Sequence, residues 1–548
     1  MTAAPLALAD PPPATTARPD DGRLGAARRD PAVVIAGCLV FALVLFLPPV
    51  LNDGDTLWQI STGAWIIDHR AIPATDPFSF TAGDRHWSAH EWLAETLMAL
   101  AYRAAGLPGI MVLAAAAAGL TAGVLLHHLR RFLPGVYAAS ALIIALCHTA
   151  PSMLARPHLL AWPCLALWCG GVVTARADRT APSWALLPVM LLWVNLHGSF
   201  ILGLLLAGAL MIEALLDPEA SHVGNFVGWT RFIAAALLVA LCNPDRLAGV
   251  LFAIRLRGMQ SLAWIGEWQP PDFAHFQPVE LTVLGGLALG FSGRVKLPPI
   301  RLMLLLGLVY GALAHTRNQQ ILGIVGVLIL AEPLGASLRQ GSAMPLRGGS
   351  AMPLRGGSAI PLRGWGRLLS AGAVAVAAAA LTVRLILPLG PERSGAPFAA
   401  LLDAVPPALR GQPVLNEYRL GARLIFNGVR PFIDSRADLY GDAFLARYHR
   451  LAGGDRSELA RTLAEYHIAW TIFTASHPVV GVMDEQPGWH RLIDANDIVI
   501  HALDDQAGCA GAEESPNVGH ATSDPYHPDP DQRPGAARHQ PASPCLGR

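Results

Sequence analysis

The sequence predicts an α-helical polytopic membrane protein with about eleven transmembrane helices and a small external α/β domain at its C-terminal end. Three observations indicate this fold class. The chain of 548 residues is only 15% charged, whereas a soluble globular protein has about 25% charged residues. Long apolar runs recur as far as residue 390, and short β-rich segments alternate with helical ones beyond it. The formal net charge is zero, so no overall field attracts nucleic acid and we expect no such partner.

The predicted transmembrane domain covers residues 32–390. Its spans are apolar runs with a length and composition suited to crossing a bilayer, although several are short. The runs begin near Ala32, Pro108, Gly135, Leu159, Trp184, Phe200, Phe232, Val279, Arg301, Ile321 and Leu369.

Arginine and lysine residues set the expected orientation. If the helices alternate in direction, the basic loops all fall on one side, which the positive-inside rule makes cytoplasmic. Residues 1–31 then form a cytoplasmic, disordered N-terminus, and 338–366 a cytoplasmic linker with three near-identical octads of the type GSAMPLRG. The loop 51–107 and everything after the last span are external. We therefore expect a multi-pass plasma-membrane protein with a cytoplasmic N-terminus and an external C-terminus, which would be periplasmic in the inner membrane of a bacterium.

The external C-terminal domain is expected at 391–504, followed by a disordered tail at 505–548 that is rich in Pro, Gly and Asp. Predicted strands lie at 413–418, 430–435, 470–475 and 497–503, and predicted helices at 421–427, 442–451 and 456–467. A polar group follows the second strand, where it could form a ligand site or a loop network. Its members are Asp434, Arg436, Asp438 and Tyr440.

The first external loop is rich in carboxylates and tryptophans. Asp53 and Asp55 precede a predicted amphipathic helix at 56–69, and a second such helix is expected to end at Gly106. His90 and Glu91 lie at the start of the second helix. Asp53 and Glu91 could instead be helix caps. The loop tryptophans could stack on sugars or form an interfacial aromatic belt; they are Trp58, Trp65, Trp87 and Trp92.

Further polar residues gather in loops on the same predicted side. A single His or Arg at a helix end is more often a capping or snorkelling residue. Several such groups on one face favour a functional cavity, in which arginine would suit an anionic phosphate headgroup. The candidate substrate-binding residues are His90, Glu91, Arg156, His158, Asn195, His197, Arg246 and Arg317.

These segments resemble a group of bacterial polytopic proteins that is similar to the C superfamily of glycosyltransferases, which includes protein mannosyltransferases and oligosaccharyltransferases. The resemblance is carried by NDGDTLWQISTGAWIIDHRAIPATDPFSFT, HEWL, ARPHLLAW, LLWVNLHGSF, NPDR, GEWQPPDF and RPFIDSRADLY. It implies an inverting transfer from a polyprenyl-phosphate-linked sugar to a glycan, lipid or protein acceptor.

In the superfamily, a carboxylate at the start of the first external loop acts on the acceptor. The resemblance places this role on Asp55, with Asp53 second, as catalytic residues. The chain departs from the usual acidic motif because Thr56 follows Asp55. The two carboxylates could bind a divalent cation such as Mg²⁺ or Mn²⁺, but two carboxylates alone do not define a metal site.

Two other classes of function compete with the transferase. A transporter or flippase of a lipid-linked envelope precursor predicts charged residues in mid-span and broken helices. A non-catalytic envelope scaffold leaves the acidic loop without a role. Polysaccharide polymerases and ligases are neighbouring possibilities within the transferase class.

Overall fold

The computed structural model describes residues 30–83, 85–217, 222–256, 258–342, 365–390 and 395–504. Almost all of the predicted N-terminal segment 1–31, most of the repeat linker 338–366 and the whole tail 505–548 lie outside these residues. At the edges of the linker, the flanking helices reach Ser342 on one side and begin at Trp365 on the other.

Each of the eleven apolar runs coincides with a helix. Among the residues that the structure describes, five helices are long and apolar enough to cross a membrane, and six shorter apolar helices have 10–17 residues. The number of spans therefore stays a prediction. The helices of this part are α1 (Pro31–Val44), α2 (Asp55–His69), α3 (Trp92–Phe132), α4 (Gly135–Thr149), α5 (Pro157–Ala177), α6 (Leu187–Leu196), α7 (Phe200–Leu215), α8 (His222–Ala240), α9 (Leu247–Leu256), α10 (Pro278–Phe291), α11 (Pro299–Ala314), α12 (Val327–Ser342, after a π-helical turn Leu322–Gly326) and α13 (Trp365–Ile386).

The outer surface of these helices is apolar. Large side chains such as Phe291 (88% exposed), Val136 (70%) and Met303 (69%) lie uncovered. A soluble protein rarely exposes so much apolar surface, whereas lipid covers it in a membrane. The structure therefore agrees with a multi-pass membrane protein.

Glycine sets the shape of α3. The second helix was expected to end at Gly106, and α3 kinks there: Gly106 has φ 59° and ψ −149°, with Pro108 just beyond. Only glycine adopts this conformation without strain, and Pro108 removes a backbone donor. The chain then continues as one long helix to Phe132.

Helix α2 is largely buried and does not lie on the protein surface. Nine of its 15 residues are buried, because α3 packs on one side and the C-terminal unit on another. Gly63 allows the closest approach: a Cβ atom at this position would lie 1.9 Å from the backbone oxygen of Glu95.

We expect Gly63→Ala to destabilise the protein by roughly 1–3 kcal/mol, since two backbones would have to separate. Thermal unfolding of the detergent-solubilised protein measures this change. Gly307→Ala is the control, because its Cβ would meet nothing within 4 Å. Equal midpoints for the two variants would contradict the close packing of α2 on α3.

The C-terminal ends of α3 and α5 carry arginines that pair with acidic side chains. Arg130 contacts Asp30 at 2.7 Å, and Arg131 contacts Asp178 at 2.5 Å. Nearby, Arg176 lies 3.1 Å from Glu213. These pairs mark the end of the helical bundle that the sequence predicts to be cytoplasmic.

The C-terminal unit is a four-stranded sheet with helices on both sides. The strand order is β1-β2-β4-β3; β1 and β2 are parallel and the other pairs antiparallel. The strands are β1 (Val414–Asn416), β2 (Trp470–Thr474), β3 (Trp489–Ala495) and β4 (Ile498–Leu503). The helices are α14 (Ala396–Asp403), α15 (Pro407–Arg410), α16 (Gly421–Phe426), α17 (Ala437–Ala452), α18 (Arg456–Glu465) and α19 (Pro478–Asp484).

One predicted strand was wrong and one strand was missed. Residues 430–435 form no strand. The Asn416 side chain binds their backbone instead: its Oδ1 accepts from Phe432 N–H at 2.8 Å and its amide donates to Ile433 O at 2.8 Å. The missed strand is β3, whose partly exposed residues lack a buried apolar run.

Candidate active site

Arg156, just before α5, lies at the centre of a group of carboxylates. Its Nε and Nη2 both donate to Asp53, the latter at 2.5 Å, and Nη2 also lies 2.9 Å from Asp55. Its third nitrogen, Nη1, donates to Glu267 at 3.0 Å. This guanidinium therefore connects two loops that are distant in the sequence, since Glu267 lies 214 residues after Asp53.

Local hydrogen bonds fix the two aspartates. Thr56 Oγ1 donates to the backbone oxygen of Ala155 at 3.0 Å, and Ala155 N–H donates to Val50 O at 2.8 Å. Asp53 Oδ1 accepts the N–H of Asp55 at 3.2 Å. Asp53 therefore binds Arg156 and the first backbone N–H of α2, while the cap position of this helix is taken by Gly54.

Asp53 and Asp55 differ in how accessible their carboxylate oxygens are to a substrate. The Asp53 side chain is 4% exposed and bound on both oxygens, whereas that of Asp55 is 19% exposed. Burial raises the pKa of Asp55 to about 6, with Arg156 opposing the change and Asp53 adding to it. Asp55 is thus an accessible carboxylate that is ionised at neutral pH and still able to take a proton.

A second arginine joins the same group through Glu267. Arg317 Nη1 donates to Glu267 Oε1 at 3.0 Å, and the guanidinium lies 4.4 Å from the centre of the Trp268 ring. His315 Nδ1 meets the backbone oxygen of Trp268 at 2.6 Å. We call Arg156, Asp53, Asp55, Glu267 and Arg317 the arginine–carboxylate cluster.

Glu91 lies between two histidines. His90 Nε2 is 3.7 Å and His197 Nε2 is 3.5 Å from its Oε1. Burial raises the pKa of Glu91 and lowers that of His197 well below its usual range. The His158 ring lies 6.2 Å from that of His197, and its Nε2 meets Ser152 O at 2.9 Å. Glu91 occupies the cap position of α3 but makes no capping hydrogen bond, so the capping alternative fails for it.

The last two predicted substrate-binding residues are Asn195 and Arg246, and their surroundings differ from those of the others. Asn195 accepts from Trp92 Nε1 at 2.8 Å and donates to Cys242 O at 3.0 Å, so its amide holds helix ends together. Arg246 is exposed and has φ 50°. Its side chain forms no hydrogen bond or ion pair with the residues that the structure describes. A substrate-binding role for either residue stays a prediction.

The C-terminal unit also contacts α2 close to the cluster, through Ser435. The Ser435 hydroxyl accepts from Trp58 Nε1 at 3.1 Å. Tyr418 donates its hydroxyl to Ser435 O at 3.2 Å. Sequence reasoning did not name Ser435, although the polar segment 434–440 that begins beside it was singled out.

Arg436 anchors this segment to the first loop. Its guanidinium donates to Asp434 at 2.6 Å and 2.9 Å and to Asp76 at 2.7 Å, and all three side chains are at most 1% exposed. Tyr440 donates to Asp434 at 2.8 Å. Three aromatic rings surround the guanidinium at 4.7–5.8 Å: Trp58, Phe78 and Trp87. Of the two alternatives for this polar group, the geometry favours the loop network.

Two of the loop tryptophans are buried, and the predicted roles of the other two, Trp65 and Trp92, stay predictions. Trp58 and Trp87 are buried around Arg436, and Trp92 binds Asn195. Trp65 stacks on His69 with 4.2 Å between the rings. Sugar stacking by Trp58 or Trp87 would require opening the interior.

The residues do not fit the divalent cation that the acidic pair suggested. Within the described parts of the chain, no three His, Cys, Asp or Glu side chains are placed to hold a metal ion. Arg156 occupies the position between the aspartates, and a guanidinium repels a cation. No step proposed below passes through a metal.

No protein-family model matches the chain, and no curated protein matches it. Similar solved structures include the following three. The archaeal oligosaccharyltransferase AglB from Archaeoglobus fulgidus, in complex with an inhibitory peptide and a dolichol-phosphate, is 10% identical with a TM-score of 0.49, covering 81% of this chain and 69% of that one. The Archaeoglobus fulgidus oligosaccharyltransferase tethered with an acceptor peptide is 11% identical with a TM-score of 0.48, at the same coverage. ArnT from Cupriavidus metallidurans bound to undecaprenyl phosphate is 13% identical with a TM-score of 0.44, covering 86% of this chain and 97% of that one.

Proposed function

We propose that the protein is a membrane glycosyltransferase of the C type. It moves a sugar from a polyprenyl-phosphate-linked donor to a glycan, lipid or protein acceptor at the external face of the bacterial inner membrane. The observation that carries the proposal is Asp55: a partly exposed carboxylate with a raised pKa, held beside Arg156. The sequence resemblance assigns the base role to this same residue.

The chemistry is a single displacement. The acceptor oxygen bonds to the anomeric carbon while the bond from that carbon to the lipid phosphate oxygen breaks, which inverts the configuration. Asp55 takes the proton that the acceptor hydroxyl loses, and the phosphate leaves with the electron pair. With a pKa of about 6, Asp55 then returns the proton to water at neutral pH.

The two arginines have different parts in this proposal. All three nitrogens of Arg156 already bind carboxylates, so Arg156 holds Asp53 and Asp55 in place. Arg317 binds Glu267 through Nη1 only and is 25% exposed. Its other N–H groups can stabilise the charge of the leaving phosphate. Arg317 is therefore the better candidate for the phosphate.

The proposed placement in the membrane follows the charge pattern. The arginine–carboxylate cluster and the C-terminal unit lie on the periplasmic side, and the basic ends of α3 and α5 on the cytoplasmic side with the N-terminus. The transporter alternative predicts charged groups along a path through the spans. The buried Arg301 instead pairs with Glu213 at 3.1 Å and Glu332 at 2.6 Å. These charges neutralise one another rather than line such a path.

A transfer assay tests the function. The purified full chain is incubated in detergent with native polyprenyl-linked sugars and acceptor-containing envelope extract, and the release of polyprenyl phosphate is followed by mass spectrometry. Detergent removes the two compartments, so transport cannot produce the signal. We expect release by the wild type and none above background by Asp53→Asn/Asp55→Asn. Equal release by both, or none by the wild type, would contradict the proposal.

The pH dependence is a separate prediction. A base must be deprotonated to act, and its pKa of about 6 lies above the ordinary Asp value. We therefore expect kcat/KM to be constant above about pH 7 and to fall tenfold for each unit below about pH 6. Initial rates across this range measure the acid limb. A rate that stays unchanged down to about pH 4 would show that a group of ordinary Asp acidity, or none, acts as the base.

A further inference from the structure

A cavity of about 710 Å³ lies between the first loop and the C-terminal unit. Its volume is in the usual range for sites that bind small molecules, roughly 300–1,000 Å³. Ser61, Pro77 and Phe78 line it on one side, and residues of α14, α15 and the segment 425–430 line it on the other. None of the lining residues belongs to the arginine–carboxylate cluster, so the proposed transfer reaction leaves this cavity without a role.

Two arginines of the C-terminal unit supply positive charge to the cavity wall. Arg410 is 32% exposed and its Nη1 donates to Asp403 at 3.1 Å, whereas the exposed Arg430 donates through Nη2 to the backbone oxygen of Ser79 at 3.1 Å. A guanidinium has five N–H groups, and within the described parts of the chain each arginine uses only one in a hydrogen bond. With Asp403 as the acidic lining residue, the wall has an excess of one positive charge.

The rest of the wall is largely apolar. Aliphatic and aromatic surface comes from Leu402, Ile425, Phe426 and Val429 of the C-terminal unit and from Phe78 of the first loop. Apolar surface is stabilised when a ligand removes it from water. A ligand that joins one anionic group to an apolar body therefore suits both parts of the wall.

Two features place the cavity close to the membrane helices. The Phe426 ring packs edge-on against Tyr102 of α3, with 5.4 Å between the ring centres, and Tyr102 lies six residues before Pro108, where the predicted span begins. Helix α14, which lines the cavity, begins ten residues after the last apolar helix ends at Ile386. The cavity is thus at the level expected for lipid headgroups, which makes a membrane lipid the favoured source of an anionic amphiphile.

We infer that this cavity binds the phosphate of an anionic phospholipid. The phosphate accepts hydrogen bonds from Arg410 and Arg430, whose planar guanidinium groups can donate in pairs, and the adjoining chain lies against Phe78 and Phe426. Because the first loop and the C-terminal unit both line the cavity, the bound lipid links them and stabilises the folded state. The inference does not depend on the proposed function, since no step of the transfer uses these residues.

Isothermal titration calorimetry of the delipidated full chain in detergent tests the site. The probe is dioctanoyl phosphatidylglycerol, which carries one negative charge. Dioctanoyl phosphatidylcholine has the same chains without net charge, and inorganic phosphate has the charge without chains. We expect phosphatidylglycerol to bind at least about tenfold more tightly than either of them. Equal affinity for phosphatidylcholine would overturn the inference, and inorganic phosphate that binds as tightly as the lipid would overturn it by identifying a soluble anion as the ligand.

The double variant Arg410→Gln/Arg430→Gln tests the two cations. We expect it to lower the affinity for phosphatidylglycerol by at least about tenfold, because charge-assisted hydrogen bonds to the phosphate are lost. Arg461→Gln is the matched control: Arg461 belongs to the same unit, is 64% exposed and lies 3.4 Å from Glu458, and it does not line the cavity. The control should bind the lipid as the wild type does.

A second variant leaves the arginines unchanged. Arg430 also holds Ser79 of the first loop, so the double variant could lose affinity by loosening this contact. Ala399→Trp instead fills the cavity from α14, where Ala399 is half-buried, and we expect the same loss of affinity. Binding as tight as that of Arg461→Gln, in either Ala399→Trp or the double variant, would overturn the inference.

Discussion

Asp55→Asn is expected to lower the rate of sugar transfer by about 10²–10⁴-fold, the usual contribution of a general base. Asparagine has nearly the same shape but cannot take the acceptor proton. Arg156 keeps its contacts with Asp53 and Glu267 in this variant, so the surrounding geometry should persist. The loss should appear in kcat, because the acceptor and donor still bind.

The stability of this variant should change in the opposite direction from its activity. Asp55 has a higher pKa in the folded protein than the ordinary value of 3.8. A carboxyl with a raised folded-state pKa destabilises the fold as the pH rises from the ordinary value through the folded value. At neutral pH we therefore expect Asp55→Asn to unfold at the same or a higher temperature than the wild type.

Asp68→Asn is the matched control for this prediction. Asp68 lies on the same helix α2, is 40% exposed and pairs with Arg103 at 2.6 Å. Its replacement should leave transfer unchanged. Transfer by Asp55→Asn at the rate of this control would remove Asp55 from the mechanism.

Arg436→Gln is expected to destabilise the C-terminal unit by about 3–5 kcal/mol, because it leaves two buried carboxylates without their cation. Asp76 and Asp434 are both fully buried around it. Trp58 and Trp87 lie within 6 Å of the guanidinium, so tryptophan fluorescence should report the unfolding. The change is measured as the shift in the denaturation midpoint of the purified protein.

An exposed arginine in the same unit provides the control. Arg491 also binds two carboxylates, Asp484 and Asp494, but is 43% exposed. Surface ion pairs contribute about 0–1 kcal/mol, so Arg491→Gln should change the midpoint little. Similar shifts in both variants would mean that the buried pairs do not hold the unit in place.

The helices and the main members of the site could be predicted from local patterns. Apolar runs locate α1 and the later helices because burial in lipid requires them, and Gly106 marks the bend in α3. Alternating helices bring every second loop to one end, which is why Asp55, Arg156 and Arg317 meet. The sequence could not predict which side chains of this group pair with each other, because the pairing depends on side-chain geometry.

Contacts between distant segments could not be predicted. Nothing in the sequence near Ser435 indicates that its hydroxyl meets Trp58 of α2. The segment 430–435 has the composition of a strand, but one side chain, Asn416, replaces the ladder. Arg246 was grouped with the cluster because its motif resembles the other loop motifs, yet its side chain is exposed.

The ion pair between Asp76 and Arg436 has a consequence for biosynthesis. The two residues are 360 positions apart, so the ribosome makes the first loop long before its partner exists. Asp76 therefore stays hydrated and unpaired until the C-terminal unit has been made and folded. A nascent or truncated chain that ends before Arg436 has Asp53, Asp55 and Arg156 but lacks the cation of this buried pair. The first loop should thus reach its final structure only when synthesis is finished.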